Sequence, residues 1–397
     1  MGKPKIRFEG YSEDWEQRKF GEIVEKYEDP VETPTEGYTR LGIRSHAKGT
    51  FHSYVEKGKE LETAKMFRVA ADKFIVNITF GWEHAVAITD ENDAGKLVSH
   101  RFPQYSFNAG MDPKFFRYLI LDENFKHHLE LSSPGGAGRN RVLKLSDMLE
   151  YKMIFPSEAE QRKIATYFDD LDHLITLHQR KCEETKTLKK YMLQKMFPQN
   201  GHSVPEIRFS GFTEDWEQRK VCNITTSYSG GTPKSGSTEY YDGDIPFIRS
   251  GEIYSDKTEL FITELGMKNS SAKMVHEGDI LYALYGATSG EVSRAKLDGA
   301  INQAILAIIP NDDINANFLV EWFRKEKDKI TDTYLQGGQG NLSAQIIKEL
   351  EVTIPSYDEQ NKIGLYFEQL NTLITLHQRK CDELRSVKKF MLQNMFI

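Results

Sequence analysis

The nonapeptide LITLHQRKC, residues 174–182, recurs letter for letter at residues 373–381. This identity lies inside a longer match that joins residues 156–197 to residues 355–396. Internal repeats come first in any interpretation, because a missed repeat misassigns the whole fold. The 397-residue chain is therefore a duplication.

Two variable blocks separate the matched stretches. A second repeat, IRFEGYSEDWEQRK at residues 6–19, returns as IRFSGFTEDWEQRK at residues 207–220. Residues 21–155 and 221–354 are much less alike, although Ile43-Arg44-Ser45 is echoed by Ile248-Arg249-Ser250. Divergence confined to one block of each half indicates a framework that performs one task twice, and blocks that perform two versions of another task.

The long matched stretches predict two long helices. After Pro156, apolar side chains recur at steps of three and four residues, as at Ile164, Phe168 and Ile175. A helix of about 40 residues would be ~60 Å long, which is far beyond the usual length and requires a partner. We expect the two helices to pair as an antiparallel coiled coil, with the duplication giving a pseudo-two-fold axis.

Further apolar positions widen each helical stripe beyond a two-helix seam. They are Tyr167, Leu174, Leu177, Leu188, Tyr191, Tyr366, Leu373 and Leu376. Two interpretations remain open, namely packing on the domain of the same chain and docking of another subunit. His178 and His377 occupy equivalent places in the repeat, and a lone histidine on a half-apolar helix is more typical of a packed or solvated residue than of a metal ligand.

Composition indicates a water-soluble protein of two or more domains. Apolar residues make up 39% and charged residues 28% of the chain, and no run of about 18 apolar residues offers a membrane span. The N-terminus is too polar for a secretory signal and lacks the myristoylation pattern, so we expect a cytoplasmic protein. The three cysteines form no C-x-x-C pair, which argues against a disulfide framework and against a zinc site.

The net charge of -7 opposes nucleic-acid binding by bulk basicity, because phosphate neutralisation requires clustered lysine and arginine. Residues 21–155 hold 18 basic and 20 acidic side chains, and residues 222–354 hold 12 and 19. DNA binding by such a chain would depend on a basic partner.

Both variable blocks predict α+β domains. In the second block, residues 278–286 indicate a turn and a strand, residues 303–309 a further strand, and residues 314–330 a helix. The loop SGGTPKSGS at residues 229–237 loosely resembles a phosphate-binding loop. It lacks the lysine after the last glycine, which argues against nucleotide binding.

The loops of both blocks carry the residue types that read base edges: arginine and lysine for guanine, asparagine and glutamine for adenine, and hydroxyls for either. In the first block the candidates are Arg40, Arg44, His46, Lys48, Trp82, His84, His100, Arg101, Arg139, Asn140 and Arg141. In the second block they are Lys234, Ser235, Arg249, Thr288, Ser289, Arg294, Asn302, Gln303, Gln336, Gln339 and Asn341. For any single residue a solvated loop role is the simpler interpretation, so the hypothesis depends on clustering.

Several of these features together resemble the specificity subunits of type I restriction-modification enzymes. They are the doubled frame, FSGFTEDWEQRK at residues 209–220, Gly-Gly-Thr-Pro at residues 230–233, Asn302-Gln303, and Pro355-x-x-x-Glu359-Gln360 before a long helix. The resemblance spans the whole chain, although the first block lacks Gly-Gly-Thr-Pro. It implies that each target-recognition domain reads one half of a split DNA target. It also implies that the helices set the spacer and carry two methyltransferase subunits, through which restriction subunits join.

The resemblance divides the chain into six stretches. They are a short constant segment (1–20), the first target-recognition domain (21–155), the central conserved helix (156–197), a linker with the second constant segment (198–220), the second target-recognition domain (221–354) and the C-terminal conserved helix (355–397). The sequence contains no Asn-Pro-Pro-Tyr methyltransferase motif, no G-x-G-x-x-G loop and no Walker A motif, so we expect no catalytic residues and no metal site in this chain. S-adenosylmethionine, ATP and magnesium would belong to partner subunits.

Two other functions remain as alternatives. A non-DNA coiled-coil scaffold that presents two ligand-binding domains would suit the acidic net charge. A single-chain nuclease and methyltransferase would be an enzyme, and the missing motifs argue against it.

Overall fold

A computed structural model describes residues 3–60, 65–135, 141–199, 201–335 and 341–396. The chain divides into two compact units. Unit 1 consists of residues 1–177 and 380–397, and unit 2 consists of residues 178–379. Each unit therefore contains one variable block, one short constant segment and part of each of the two long helices.

Unit 1 contains two larger sheets and one two-stranded antiparallel sheet. Its strands are β1 (Glu16–Lys19), β2 (Val24–Tyr27), β3 (Pro30–Val31), β4 (Tyr38–Ile43), β5 (Thr50–Val55), β6 (Met66–Arg68), β7 (Lys73–Val76), β8 (Val86–Ile88), β9 (Leu97–Val98), β10 (Gln104–Phe107) and β11 (Lys152–Phe155). Its helices are α1 (Phe20–Ile23), α2 (Pro113–Leu119), α3 (Glu123–Leu131), α4 (Leu145–Leu149) and the first part of α5 (Glu158–Lys195). The sheet orders are β2-β10-β7-β8 and β3-β6-β9-β4-β5, and β1 pairs antiparallel with β11.

Local chemistry explains where the helices of unit 1 begin. The Asp112 carboxylate accepts a hydrogen bond from the Lys114 N–H at 3.0 Å, and Pro113 occupies the first turn of α2. Asp122 caps α3 in the same way through the Phe125 N–H. Buried aromatic side chains of the first sheet and of α2 then form one core with Phe168 of α5.

Unit 2 repeats this plan. Its strands are β12 (Glu217–Lys220), β13 (Thr225–Ser229), β14 (Tyr241–Ile248), β15 (Phe261–Ile262), β16 (Lys273–Val275), β17 (Ile280–Ala283), β18 (Val292–Arg294), β19 (Gly299–Ile301), β20 (Ile305–Pro310) and β21 (Glu351–Ile354). Its helices are α6 (Val221–Ile224), α7 (Glu264–Lys268), α8 (Ala316–Leu335), α9 (Ala344–Glu349) and the first part of α10 (Tyr357–Met395). The sheet orders are β13-β20-β17-β18 and β15-β14-β19-β16, and β12 pairs antiparallel with β21. The predicted strands and helix of the second block are confirmed by β17, β20 and α8, and the α+β fold class is confirmed.

Within each unit the two long helices run antiparallel, as predicted. In unit 1, the Lys388 ammonium donates to the Asp172 carboxylate at 2.6 Å. In unit 2, the equivalent Lys189 of α5 donates to Asn371 of α10 at 2.7 Å and to Glu321 of α8 at 3.2 Å. Early residues of one helix thus meet late residues of the other. In the described part of the chain, no helix is both long enough and apolar enough to cross a membrane.

Candidate nucleic-acid interface

Four loop segments of unit 1 meet in one surface, which we call loop cluster 1: residues 44–49, 78–84, 99–102 and 141–143. Backbone hydrogen bonds join them, from the His46 N–H to the Glu83 carbonyl at 2.8 Å and from the Ile78 N–H to the Arg101 carbonyl at 3.0 Å. A third bond, from the Leu143 N–H to the Ile78 carbonyl at 2.8 Å, adds the last segment. Residues far apart in sequence therefore contribute side chains to one surface.

Most of the predicted readers of the first block lie in loop cluster 1. Arg44, His46, Lys48, His100 and Arg101 are exposed there. The guanidinium of the half-buried Arg141 lies 5.7 Å from the centroid of the Trp82 ring, so the indole serves as a platform that orients this cation.

Two predicted readers of the first block are not exposed in loop cluster 1: His84 is buried within its second segment, and Arg40 lies outside it. His84 is only 3% exposed, and its Nε2 lies 2.8 Å from the carbonyl oxygen of Ile120. Burial lowers its pKa, so His84 is a neutral core residue and the prediction of a base contact is wrong for it. Arg40 is half-buried within β4, opposite Ser53, and lies outside the cluster. Arg139 and Asn140 lie outside the described residues.

Unit 2 has a corresponding surface, loop cluster 2, formed by residues 230–237, 284–289, 302–304 and 341–342. The Leu342 N–H donates to the Leu284 carbonyl at 3.0 Å, and the Leu284 N–H donates to the Ala304 carbonyl at 2.8 Å. The first segment joins through the Thr232 hydroxyl, which lies 2.5 Å from the side-chain oxygen of Gln303.

Loop cluster 2 brings together another set of predicted readers. Lys234, Ser235, Gln303 and Asn341 are exposed, whereas Thr288 and Asn302 are half-buried. Ser289 is buried, and its hydroxyl donates to the Gly286 carbonyl at 2.9 Å, so the prediction of a base contact is wrong for this residue. Gln336 and Gln339 lie outside the described residues.

Two arginines predicted as readers in unit 2 are engaged by protein groups. The Arg249 guanidinium donates to Glu252 at 2.9 Å and to Glu259 at 2.8 Å. These carboxylates raise the pKa of Arg249, and Arg249 lowers the pKa of Glu252 to about 2. Arg294 donates to the Gly278 carbonyl at 2.9 Å and to Asn317 at 3.0 Å, at the end of β17 that is remote from Leu284.

The Gly230-Gly231 pair has a packing role. A Cβ on Gly230 would lie 1.8 Å from the Ile301 carbonyl oxygen, and a Cβ on Gly231 would lie 1.9 Å from the Ser271 hydroxyl oxygen. Glycine therefore allows the loop to lie directly against β19. This close approach places Thr232 beside Gln303.

Sequence reasoning missed the contacts that hold each short constant segment, and the second block, to the long helices. Arg208 makes a bidentate ion pair with the fully buried Glu359 at 2.7 and 2.8 Å, and Arg7 makes the same pair with Glu160 in unit 1. Gln360 accepts a hydrogen bond from the Asn315 N–H and donates to the Pro355 carbonyl. The recurrence of Pro-x-x-x-Glu-Gln was the available signal, and its purpose is this attachment.

The predicted partner face is exposed in part. Leu174, Leu188, Tyr191, Leu373 and Leu376 are 40% to 56% exposed, whereas Tyr167, Leu177 and Tyr366 are half-buried. Four further exposed apolar side chains lie on α10 and were not predicted: Tyr357, Leu365, Val387 and Phe390.

Histidine pairing is the other feature of the long helices. His178 and His377 approach each other with 3.0 Å between their Nδ1 atoms, so that one ring donates a hydrogen bond and the other accepts it. Within the described ranges, no three His, Cys, Asp or Glu side chains are placed to hold a metal ion.

Two sheet-based domains, each with a polar loop cluster and each attached to a pair of antiparallel helices, define a duplicated two-domain protein. The sequence profile described as the type I restriction modification DNA specificity domain matches residues 12–187 and 213–386. The chain therefore belongs to this family and is a type I restriction-modification specificity subunit. This assignment favours the DNA hypothesis over the scaffold alternative.

Known proteins agree with this assignment. The MjaIX specificity subunit of Methanocaldococcus jannaschii is 30% identical over 195 residues, which cover 46% of this chain and 44% of that protein. The putative MjaX specificity subunit of the same organism is 22% identical over 396 residues, which cover 95% of this chain and 91% of that protein. The crystal structure of the S subunit from M. genitalium matches the fold with a TM-score of 0.64 at 16% identity, over 100% of this chain and 99% of that chain.

Proposed function

We propose that the two units read the two halves of a bipartite DNA target, with loop clusters 1 and 2 as the reading surfaces. The observation that carries this proposal is their equivalence. Loop cluster 1 lies beside the sheet β2-β10-β7-β8, and loop cluster 2 lies beside the corresponding sheet β13-β20-β17-β18. The backbone bond from Leu143 to Ile78 corresponds to the bond from Leu342 to Leu284. The exposed side chains of the two clusters nevertheless differ. Equivalent placement with different chemistry is what two readers of different sequences require.

Partner subunits complete this function. The exposed apolar face of α5 and α10 would dock two methyltransferase subunits, through which restriction subunits join. S-adenosylmethionine, ATP and magnesium would be bound by those subunits, so this chain alone would be inactive. Exposed apolar side chains on these helices support docking, because solvent exposure of apolar surface is unfavourable.

The long helices would set the spacer between the half-targets. Each is a single element of 38 or 39 residues, and a helix rises ~1.5 Å per residue. Two readers that enter the same face of a duplex must lie about 34 Å apart or a multiple of that distance.

A block exchange tests the reading assignment. Residues 21–155 are replaced by the corresponding block of another family member, and the methylated target of the assembled complex is determined by sequencing. We expect one half-target to change and the other half-target and the spacer to stay the same. A change in both halves would contradict the assignment of one reader to each unit. An exchange of residues 221–354 is the matched control and should change the other half.

A further inference from the structure

We propose that the two recognition domains hold their half-targets by different chemistry. Loop cluster 1 attracts the phosphate backbone with positive charge, whereas loop cluster 2 contacts DNA chiefly through uncharged hydrogen-bonding groups. This inference rests on the proposed function, since it takes both clusters to face DNA. It adds that unit 1 supplies most of the electrostatic affinity for DNA, whereas unit 2 contributes mainly recognition of bases.

Loop cluster 1 is basic within an acidic protein. Its segments contain Arg44, Lys48, Arg101 and Arg141 against the single acid Glu83. The Glu83 carboxylate accepts a hydrogen bond from the Ser45 hydroxyl at 2.5 Å.

Neutral groups hold the arginines of loop cluster 1 in place. The Arg44 guanidinium donates to the Thr50 carbonyl, and the Arg101 guanidinium donates to the Thr79 hydroxyl at 3.1 Å. Arg141 lies over Trp82, with a carboxylate oxygen of the exposed Glu130 at 3.9 Å. Arg44 and Arg101 are therefore positioned by neutral groups, and no salt bridge to either is found in the part of the chain that the structure describes.

Loop cluster 2 is almost uncharged. Lys234 is the only charged residue in its four segments. The polar groups that it presents are amides and hydroxyls: Thr232, Ser235, Thr288, Asn302, Gln303 and Asn341. Amide side chains recognise adenine edges by paired hydrogen bonds, and because they carry no charge they do not neutralise phosphates.

The other basic residues predicted as readers in unit 2 do not restore the charge. Arg249 together with Glu252 and Glu259 carries one net negative charge, because both carboxylates lie within 3 Å of the guanidinium. Arg294 is opposite Ile280, at the far end of β17 from loop cluster 2. The predicted readers include six lysines and arginines in the first block and three in the second, and in unit 2 the structure leaves only Lys234 in the loop cluster.

The test measures how DNA affinity depends on salt, because each phosphate contact contributes a slope of about 0.9 to log Kd against log salt concentration. The complex with its methyltransferase partner is prepared with Arg44, Lys48 and Arg101 all replaced by Gln, and in parallel with Lys234, Arg249 and Arg294 all replaced by Gln. Three positive charges are removed in each variant. We expect the slope to fall by roughly 2 to 3 for the first variant and by no more than about 1 for the second.

A second measurement leaves the protein unchanged. Methylphosphonate linkages remove the phosphate charge over one half-target at a time, and the block exchange shows which unit reads which half. Neutralising the half read by unit 1 should weaken binding by roughly tenfold or more at low salt, and neutralising the other half should cost about threefold or less. Lys273 lies on β16, which pairs with β19. Because the protein is unchanged in this measurement, any contribution of Lys273 to DNA affinity is included.

Equal falls in slope for the two variants, or equal costs for the two neutralised half-targets, would overturn the inference while leaving the proposed function intact. An unmodified complex that binds no DNA in a sequence-dependent way would instead contradict the proposed function. Unfolding midpoints of both variants identify a loss that comes from misfolding. If the triple variant of unit 2 has a lowered unfolding midpoint, it is replaced by a variant in which Lys234→Gln and Arg294→Gln are combined with Arg249→Lys. The Arg249→Lys change keeps the positive charge at that position.

Discussion

Replacing Glu359 by Ala should be among the most destabilising single changes in unit 2. The Glu359 side chain is 0% exposed, and its two oxygens accept bonds from Arg208 at 2.7 and 2.8 Å. The substitution leaves the Arg208 guanidinium, itself only 15% exposed, without its counter-ion. Removing one partner of a buried ion pair typically costs 3–5 kcal/mol, because the remaining charge is desolvated and unpaired. We expect a loss of about 4 kcal/mol in the free energy of unfolding.

The matched control is the pair formed by Arg180 and Glu184, which has almost the same separation, 2.8 Å, but side chains that are 74% and 61% exposed. An exposed pair at this helical spacing contributes about 0.3–0.5 kcal/mol. Glu184→Ala should therefore change stability by less than 1 kcal/mol. Because the residue types and the shortest distance are matched, the difference between the two variants measures the effect of burial together with the second hydrogen bond of the bidentate pair.

Urea unfolding followed by tryptophan fluorescence is the assay. The four tryptophans lie two in each unit, so Trp15→Phe with Trp82→Phe gives a background in which emission reports unit 2 through Trp216 and Trp322. Glu359→Ala should lower the urea midpoint of that signal strongly. If its effect fell within 1 kcal/mol of the effect of Glu184→Ala, the ion pair would not be what attaches the second short constant segment to α10.

Two further changes test the loop clusters. Burial lowers the pKa of His84, so the folded state disfavours the imidazolium. Unit 1 should therefore lose stability as the pH falls below about 6.5. His84→Asn should make that loss smaller, as measured by urea midpoints at a series of pH values. A steep decline of equal size in the variant would exclude His84 as its source. Gly230→Ala should destabilise unit 2 by about 1–3 kcal/mol and impair only the half-target read there, because the new methyl group would meet the Ile301 carbonyl. Gly236→Ala, which meets nothing within 4 Å, should be neutral on contact grounds, and equal effects of the two would contradict the close-approach argument.

The elements that sequence reasoning predicted well are those with local causes. Helices α5 and α10 follow from apolar periodicity over about ten turns, and β17 and β20 follow from apolar runs bounded by turn residues. The antiparallel pairing of the helices was predicted from the duplication, since two long helices with the same apolar stripe can each bury that stripe against the other. These signals lie in neighbouring residues and do not depend on tertiary contacts.

The reading surfaces were less predictable because they depend on residues distant in sequence. Arg44 and Arg249 occupy the same Ile-Arg-Ser triplet, yet only Arg249 meets carboxylates, one of them from Glu259 ten residues away. His84 is followed by an apolar stretch, but its burial depends on packing beside Ile120. These side chains were predicted as base readers from their residue types alone. Which of them face solvent depends on tertiary contacts.

The spacer hypothesis requires a perturbation that respects the contacts between the helices. Thr185 lies on α5 between Cys182, whose sulfur is 3.8 Å from the Ile374 carbonyl oxygen, and Lys189, which bonds to Asn371. Four residues inserted after Thr185 alone would move Lys189 by ~6 Å and break that bond. A matching insertion after Thr372 of α10 lengthens the facing helix by the same amount. The paired insertion should therefore preserve the contacts on both sides.

We expect the paired insertion to lengthen the spacer of the methylated target by about two base pairs and to leave both half-targets unchanged. The reason is geometric, since four residues add ~6 Å along a helix, and one turn of DNA spans about 34 Å in 10 base pairs. Four residues also exceed one turn of 3.6 by little, so the apolar stripe keeps its direction. Inserting two residues at each site would rotate the stripe by about 200° and should abolish assembly. Sequencing of methylated sites decides the matter: an active complex with an unchanged spacer would show that the helices do not set the distance between the readers.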